Sequence, residues 1–257
     1  MRIVRFQRRG EKPQWGWIYE NHVGPLEGSP FGEFRRLEAQ IPLELVRLLP
    51  PLQPSKIICV GRNYAEHAQE LGNAVPEYPL LFMKPPTAVI GPDETILLPP
   101  QAEQVDHEAE LVVVIGKTGR WIRPEDALEH VFGYTVGNDV TARDLQRKDG
   151  QWTRAKGFDT FCPLGPWIET EFDPADAMVT CHVNQELRQM ASTRDMVFSV
   201  RQLIAFISTI MTLSPGDAIM TGTPAGIAPL QSGDVIVATV EGIGSLQNPV
   251  GRDTRHI

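Results

Sequence analysis

Two glutamates one residue apart, Glu108 and Glu110, open the apolar run Asp106-His107-Glu108-Ala109-Glu110-Leu111-Val112-Val113-Val114-Ile115. Side chains alternate faces along a strand, so both carboxylates would share one face about 7 Å apart. Like charges leading into an apolar strand are costly to desolvate unless a positive charge joins them. A hard divalent cation such as Mg²⁺ or Mn²⁺ takes carboxylate oxygens and meets that need. A solvated strand end carrying two glutamates is the alternative, of equal weight on this segment alone. Asp139 shifts the balance. It closes the strand-like run Tyr134-Thr135-Val136-Gly137-Asn138, ahead of a helical pattern over Thr141–Lys148. A carboxylate there points into a cleft, caps the helix, or does both. Three carboxylates leave about three of six octahedral positions for water or substrate oxygens.

A second constellation is Gly61-Arg62-Asn63-Tyr64-Ala65-Glu66-His67-Ala68-Gln69-Glu70-Leu71-Gly72. His67 and Glu70, three apart on a short helix, are neighbours. A carboxylate beside an imidazole orients it and raises its basicity, as a general base requires; a surface pair is the alternative. Residues 62–73 suit a lid, being too short for a stable helix alone and bracketed by Gly61 and Gly72. Few of them are apolar, so loose packing is expected. Lys156 sits in an aromatic turn shaped by proline and glycine, Arg154-Ala155-Lys156-Gly157-Phe158-Asp159-Thr160-Phe161-Cys162-Pro163-Leu164-Gly165-Pro166, and is a candidate anion or enolate stabiliser. Thr221-Gly222-Thr223-Pro224 is a tight turn with backbone amides available to a carboxylate. Arg143 and Gln146, one helical turn apart after Asp139, either reach the same cleft or are solvated.

Short strands must position these groups. Strand-like runs occur at Ile3–Phe6, Trp15–Tyr19, Lys56–Val60, Leu80–Met83, Leu111–Ile115, Val179–Val183, Ala218–Met220 and Val235–Val240. Helical patterns are fewer: Pro42–Leu49, Tyr64–Leu71, Pro124–Phe132, Thr141–Lys148 and Ser199–Met211, the last with Ser199 as N-cap. The connector Pro50-Pro51-Leu52-Gln53-Pro54 places a boundary after residue 53. The first 53 residues are too few for a core of their own and should dock on residues 54–257. Strands outnumber helices without βαβ alternation. The expected fold is α+β and mostly β: a mixed β-roll or barrel with peripheral helices and a small N-terminal subdomain.

Composition narrows the function classes. The chain has 257 residues and a formal net charge of −8. Residues 1–50 hold eight Lys/Arg and six Asp/Glu, so 16 basic and 26 acidic residues of the totals 24 and 32 fall in the remainder. An acidic body without a dense basic patch speaks against nucleic acid. No apolar run is long enough for a membrane span, and no GxGxxG or Walker motif signals a nucleotide. Three cysteines without CxxC spacing suit reduced thiols in a cytoplasm.

Taken together, GRNYAEHAQELG, FMKPPTAVIGP, VDHEAELVVVIGK, GYTVGNDVTARDLQ, KGFDTFCPLGPW and TGTPAGIAPL, in that order, resemble the fumarylacetoacetate hydrolase family over about residues 55–250. The resemblance implies the mixed β-roll, a homodimer and one Mg²⁺ or Mn²⁺ held by Glu108, Glu110 and Asp139. It makes His67 and Glu70 a lid dyad and Lys156 the active-site lysine, with Arg143, Gln146 and Thr223 lining the substrate pocket. The implied substrates are small 2-oxo acids, cleaved by C–C hydrolysis or decarboxylation; isomerisation of a 2-hydroxydienoate is the alternative, and a non-catalytic binding protein of the same fold a remoter one. His107 stands where the family often has tyrosine, and strand alternation turns it from the metal face.

Overall fold

Apolar runs read as strands do form strands, and their order in space gathers the acidic segment ends. The structure, a computed structural model, describes residues 1–254. Ala109–Ile115 is buried along its whole length. It pairs antiparallel with Val131–Asn138 on one side and with Ala218–Met220 on the other. A strand covered on both faces has no solvent side to keep polar, which accounts for its unbroken Leu-Val-Val-Val-Ile. Ala218–Met220 runs parallel to Ile57–Gly61, which pairs antiparallel with Leu80–Lys84. In the other direction follow Cys162–Glu169, then Arg2–Gln7, Gln14–Tyr19 and His22–Gly28.

These strands belong to one 13-stranded sheet whose path runs from Phe34–Arg36 to Leu80–Lys84. The mixed β-roll is present, but the sheet stays open, which corrects the barrel alternative. N-terminal strands extend it outward past Cys162–Glu169 instead of returning to Leu80–Lys84. The amino group of Met1 is fastened to Glu169 Oε1 at 2.6 Å.

A five-stranded sheet packs against the large one, with Val235–Val240 between Met178–Val183 and Gly244–Arg252. Its Ile236, Ala238 and Val240 alternate inward and join Leu111, Val113 and Val136 in one core. Each buried Ile or Val there contributes about 1.5–3 kcal/mol. Among the described residues, four α-helices lie around the sheets: α1 (Ala65–Glu70), α2 (Arg143–Asp149), α3 (Thr153–Lys156) and α4 (Val200–Ile210). Ser199 caps α4 as expected, in a reciprocal capping box with Gln202, and Leu203, Ile204 and Ile207 face the core.

Three helical expectations are corrected. Pro42–Leu49 is a single 3₁₀ turn, Leu43–Leu45, followed by the strand Arg47–Leu49. That strand pairs with Arg5–Gln7, whose open edge needs a partner more than this apolar stretch needs a helix. Pro124–Phe132 is a 3₁₀ helix ending at His130, because Val131 already joins the sheet. Thr141–Ala142 pairs with Val105–Asp106, so α2 starts only at Arg143. Asp139 is therefore not an N-cap; Ala142 holds that position without a side-chain bond.

Candidate metal centre and substrate cavity

Antiparallel pairing brings the acidic triad together. Ala109 stands opposite Asn138 in the register, and the amide of Asp139 donates to the carbonyl of Glu108 at 2.8 Å. Glu108 lies just before its strand rather than within it, and its amide donates to Asn138 Oδ1 at 2.9 Å. Carboxylate oxygens of Glu108, Glu110 and Asp139 lie within 4.8 Å of one another, all three residues buried.

Charge around the triad is unevenly balanced. Lys156 Nζ donates to Glu108 Oε2 at 2.8 Å and to Asp139 Oδ2 at 2.6 Å. Lys84 Nζ donates to the other Asp139 oxygen at 2.6 Å and to the Val140 carbonyl at 3.2 Å. Arg143 reaches Asp106 Oδ2 at 2.8 Å, Gln146 Oε1 at 2.7 Å, and Glu108 Oε1. Burial would push the Glu108 carboxyl up, but Lys156 and Arg143 together outweigh it and hold it well below the usual range. Glu110 has no cation. Its Oε2 accepts only the Gly222 amide at 2.8 Å. Burial first, then Asp139 and Glu108, push its carboxyl well above the ordinary carboxylate value. Four buried carboxylates (Asp106, Glu108, Glu110, Asp139) thus face three buried cations (Lys84, Arg143, Lys156). One negative charge is in excess, at converging hard oxygen donors. The donor set fits a divalent cation of the Mg²⁺ or Mn²⁺ type.

The triad opens into a cavity of about 380 Å³ that His67, Arg143, Gln146, Lys156 and Thr223 also line. His67 Nδ1 lies 3.0 Å from Glu70 Oε2, so the dyad forms, and the imidazole is buried rather than a surface ring. The other Glu70 oxygen accepts the amide of Gly226 at 3.0 Å, tying α1 to the turn after Ala218–Met220. The segment is held more firmly than its sparse apolar content led us to expect. Tyr64 and Ala68 are buried, and Asn63 bonds to Phe198 and to the Thr221 carbonyl. Thr223 faces the cavity, but its hydroxyl donates to the Ala109 carbonyl at 2.9 Å.

Sequence reasoning missed Lys84, Asp106 and Gln189. A lone lysine closing the apolar strand Leu80–Lys84 was the available signal for the first. Asp106 shares alternation with Glu108, two residues on. Nothing local marks Gln189. From the second sheet, its Oε1 accepts from His107 Nδ1 and the Ala109 amide, each at 3.0 Å. Its Nε2 donates to Thr223 Oγ1 and to the Pro224 carbonyl, each at 2.7 Å. His107 is turned to this network, as strand alternation indicates.

A mostly β roll carrying a buried acidic triad, a lysine and a His–Glu dyad around one cavity defines a class of enzyme folds, and the comparisons name it. Residues 56–251 match the family described as fumarylacetoacetate (FAA) hydrolase C-terminal, and residues 1–51 match the one described as Rv2993c-like, N-terminal. The chain belongs to the fumarylacetoacetate hydrolase family. It is 50% identical over 226 residues to Protein Rv2993c of Mycobacterium tuberculosis, covering 87% of this chain and 85% of that protein. Identity to oxaloacetate tautomerase FAHD2B, mitochondrial, of Bos taurus is 44% over 232 residues, covering 84% and 74%. The crystal structure of 2-hydroxyhepta-2,4-diene-1,7-dioate isomerase from Mycobacterium marinum superimposes with a TM-score of 0.91 at 42% identity, covering 99% of this chain and 100% of that one. No helix among the described residues is long and apolar enough to cross a membrane.

Proposed function

We propose that this protein is a Mg²⁺- or Mn²⁺-dependent enzyme that enolises small 2-oxo acids and moves a proton at the carbon beside the keto group. The observation that carries this reading is Glu110, a buried carboxylate without a cation, at the convergence of two others. Glu108, Glu110 and Asp139 would hold the cation. When bound, it supplies a Lewis acid that polarises the keto group and neutralises developing negative charge.

The remaining roles fall to the chain's own groups. The Glu70 carboxylate fixes the His67 proton on Nδ1 and leaves Nε2 to take or return a proton at the substrate. Lys156, charged and buried between Glu108 and Asp139, favours an enolate over a neutral keto form. Arg143, anchored on Asp106, and Gln146 present nitrogen donors along the cavity wall. Residues 62–73 exclude water while the proton moves and open for release.

The names of the tautomerase and isomerase relatives favour proton transfer as the net reaction. The dyad favours a second reading, C–C hydrolysis or decarboxylation, since the same imidazole can deprotonate a water. The proposal includes a cytoplasmic homodimer acting on a 2-oxo acid or 2-hydroxydienoate, without nucleic-acid or membrane partners. The test is a panel of oxaloacetate, acylpyruvates, fumarylpyruvate and a 2-hydroxydienoate with Mg²⁺ or Mn²⁺, followed by NMR. Catalysed keto–enol interconversion supports proton transfer, and cleaved products support the second reading. No turnover of any member contradicts both.

A further inference from the structure

We propose that Gln189 is a positioning residue that fixes the Thr223 hydroxyl as a hydrogen-bond acceptor, so that the cavity wall there takes an oxygen carrying a hydrogen, such as an enol or alcohol, over an anionic one; this rests on the 2-oxo acid reading above and deepens it. Gln189 lies on the strand Glu186–Ser192 of the second sheet, between the exposed Arg188 and Met190, and is itself fully buried. The turn after Ala218–Met220 lies directly against this strand. Gly226 has φ 102°, and a Cβ there would collide with the Arg188 carbonyl. The Gln189 carboxamide therefore reaches both that turn and the segment leading into Ala109–Ile115.

Hydrogen-bond accounting leaves one arrangement. The Ala109 amide can only donate and the Pro224 carbonyl can only accept, so the two ends of the carboxamide are not interchangeable. Oε1 accepts from the Ala109 amide and His107 Nδ1, each at 3.0 Å. Nε2 gives one hydrogen to the Pro224 carbonyl and the other to Thr223 Oγ1, each at 2.7 Å. The Thr223 hydroxyl hydrogen then goes to the Ala109 carbonyl at 2.9 Å. A hydroxyl has one hydrogen and two lone pairs. Thr223, which lines the cavity, thus keeps one lone pair and no hydrogen to give. Without Gln189 the hydroxyl is free to turn and offer its hydrogen to an anionic oxygen. The triad does not depend on this hold: its oxygens are bonded by Lys84, Arg143, Lys156 and the Gly222 amide.

The test uses two small chelators at neutral pH: glycolate, whose hydroxyl carries a hydrogen, and oxalate, which has none. Each is titrated calorimetrically into the Mn²⁺-loaded protein. Thr223→Val keeps the shape and deletes the hydroxyl. It should weaken glycolate by about two- to tenfold, the net worth of a hydrogen bond, and leave oxalate unchanged. Gln189→Met should weaken glycolate relative to oxalate by a similar factor, with Mn²⁺ affinity near wild type. The double variant should show the ratio of Thr223→Val alone, because Gln189 acts through that hydroxyl. A merely structural Gln189 would lower stability and leave the glycolate-to-oxalate ratio at its wild-type value; that result overturns the proposal, as does Thr223→Val weakening oxalate more than glycolate. Should Gln189→Met not fold, ¹⁵N NMR of the Gln189 side-chain amide decides, with Mg²⁺ in place of paramagnetic Mn²⁺. Glycolate should shift that signal more than oxalate does, through the shared hydroxyl, and the difference should vanish in Thr223→Val. Equal shifts in the wild type overturn the hold. If oxalate binds the wild type while the ratio is the same in every variant, this inference alone falls; if oxalate does not bind, the 2-oxo acid reading falls with it.

Discussion

Lys84 Nζ lies 2.6 Å from Asp139 Oδ1, with neither side chain more than 1% exposed. Asp139 thus uses one oxygen for Lys84 and shares the other with Lys156. Its position is set from the edge strand Leu80–Lys84 as well as from the strand it ends. An isolated buried ion is costly, and removing one partner of a buried pair leaves the other uncompensated.

Replacing Lys84 with methionine keeps the volume and deletes the charge. Lys84→Met should destabilise the protein by about 3 kcal/mol, the lower end for breaking a buried pair, because Asp139 retains Lys156. Urea unfolding measures this directly. Unchanged stability would mean that Lys84 does not hold Asp139.

Glu70→Gln keeps the shape of α1 but weakens the hold on the His67 ring. Turnover of the best panel substrate should drop about 100-fold, the scale of a general-base contribution. Mn²⁺ affinity should be unchanged, since Glu70 touches His67 and Gly226 rather than the triad. Turnover equal to wild type would reduce the pair to a structural contact.

The three thiols should be inert in the folded protein. Burial pushes Cys162 and Cys181 up to about 12, and pushes Cys59 well above its ordinary value. The thiolate is the reactive form, so at pH 8 little of it exists and none is accessible. An aromatic disulfide reagent should label no cysteine in buffer and all three in guanidinium. Rapid labelling of any native thiol would contradict this.

How much was readable in advance follows from the range of each signal. Glu108, Glu110 and Asp139 stood out because strand alternation and a strand end are local patterns, and these residues do converge. His67 and Glu70 were readable from i,i+3 spacing, yet their burial was not, since it depends on the distant Gly226 turn. Lys84, Asp106 and Gln189 enter only through pairing between strands far apart in sequence. The Pro42–Leu49 helix failed for the same reason, as the edge of Arg2–Gln7 claimed that stretch. Local periodicity does not record which edge lies open.

Glu110→Gln with Mn²⁺ tests the metal centre most directly. Around Glu110, burial and the carboxylates of Asp139 and Glu108 outweigh the Gly222 amide and the charge of Lys156, so neutralising it removes strain from the metal-free protein. The metal-free variant should have a Tm equal to or above that of the wild type. Calorimetric titration should give one Mn²⁺ per wild-type chain and affinity in Glu110→Gln weaker by about 100-fold or more, beyond what loss of an outer-shell partner costs. Wild-type Mn²⁺ affinity in the folded variant, or no stoichiometric Mn²⁺ on the wild type, would contradict the assignment of Glu108, Glu110 and Asp139 as a cation site.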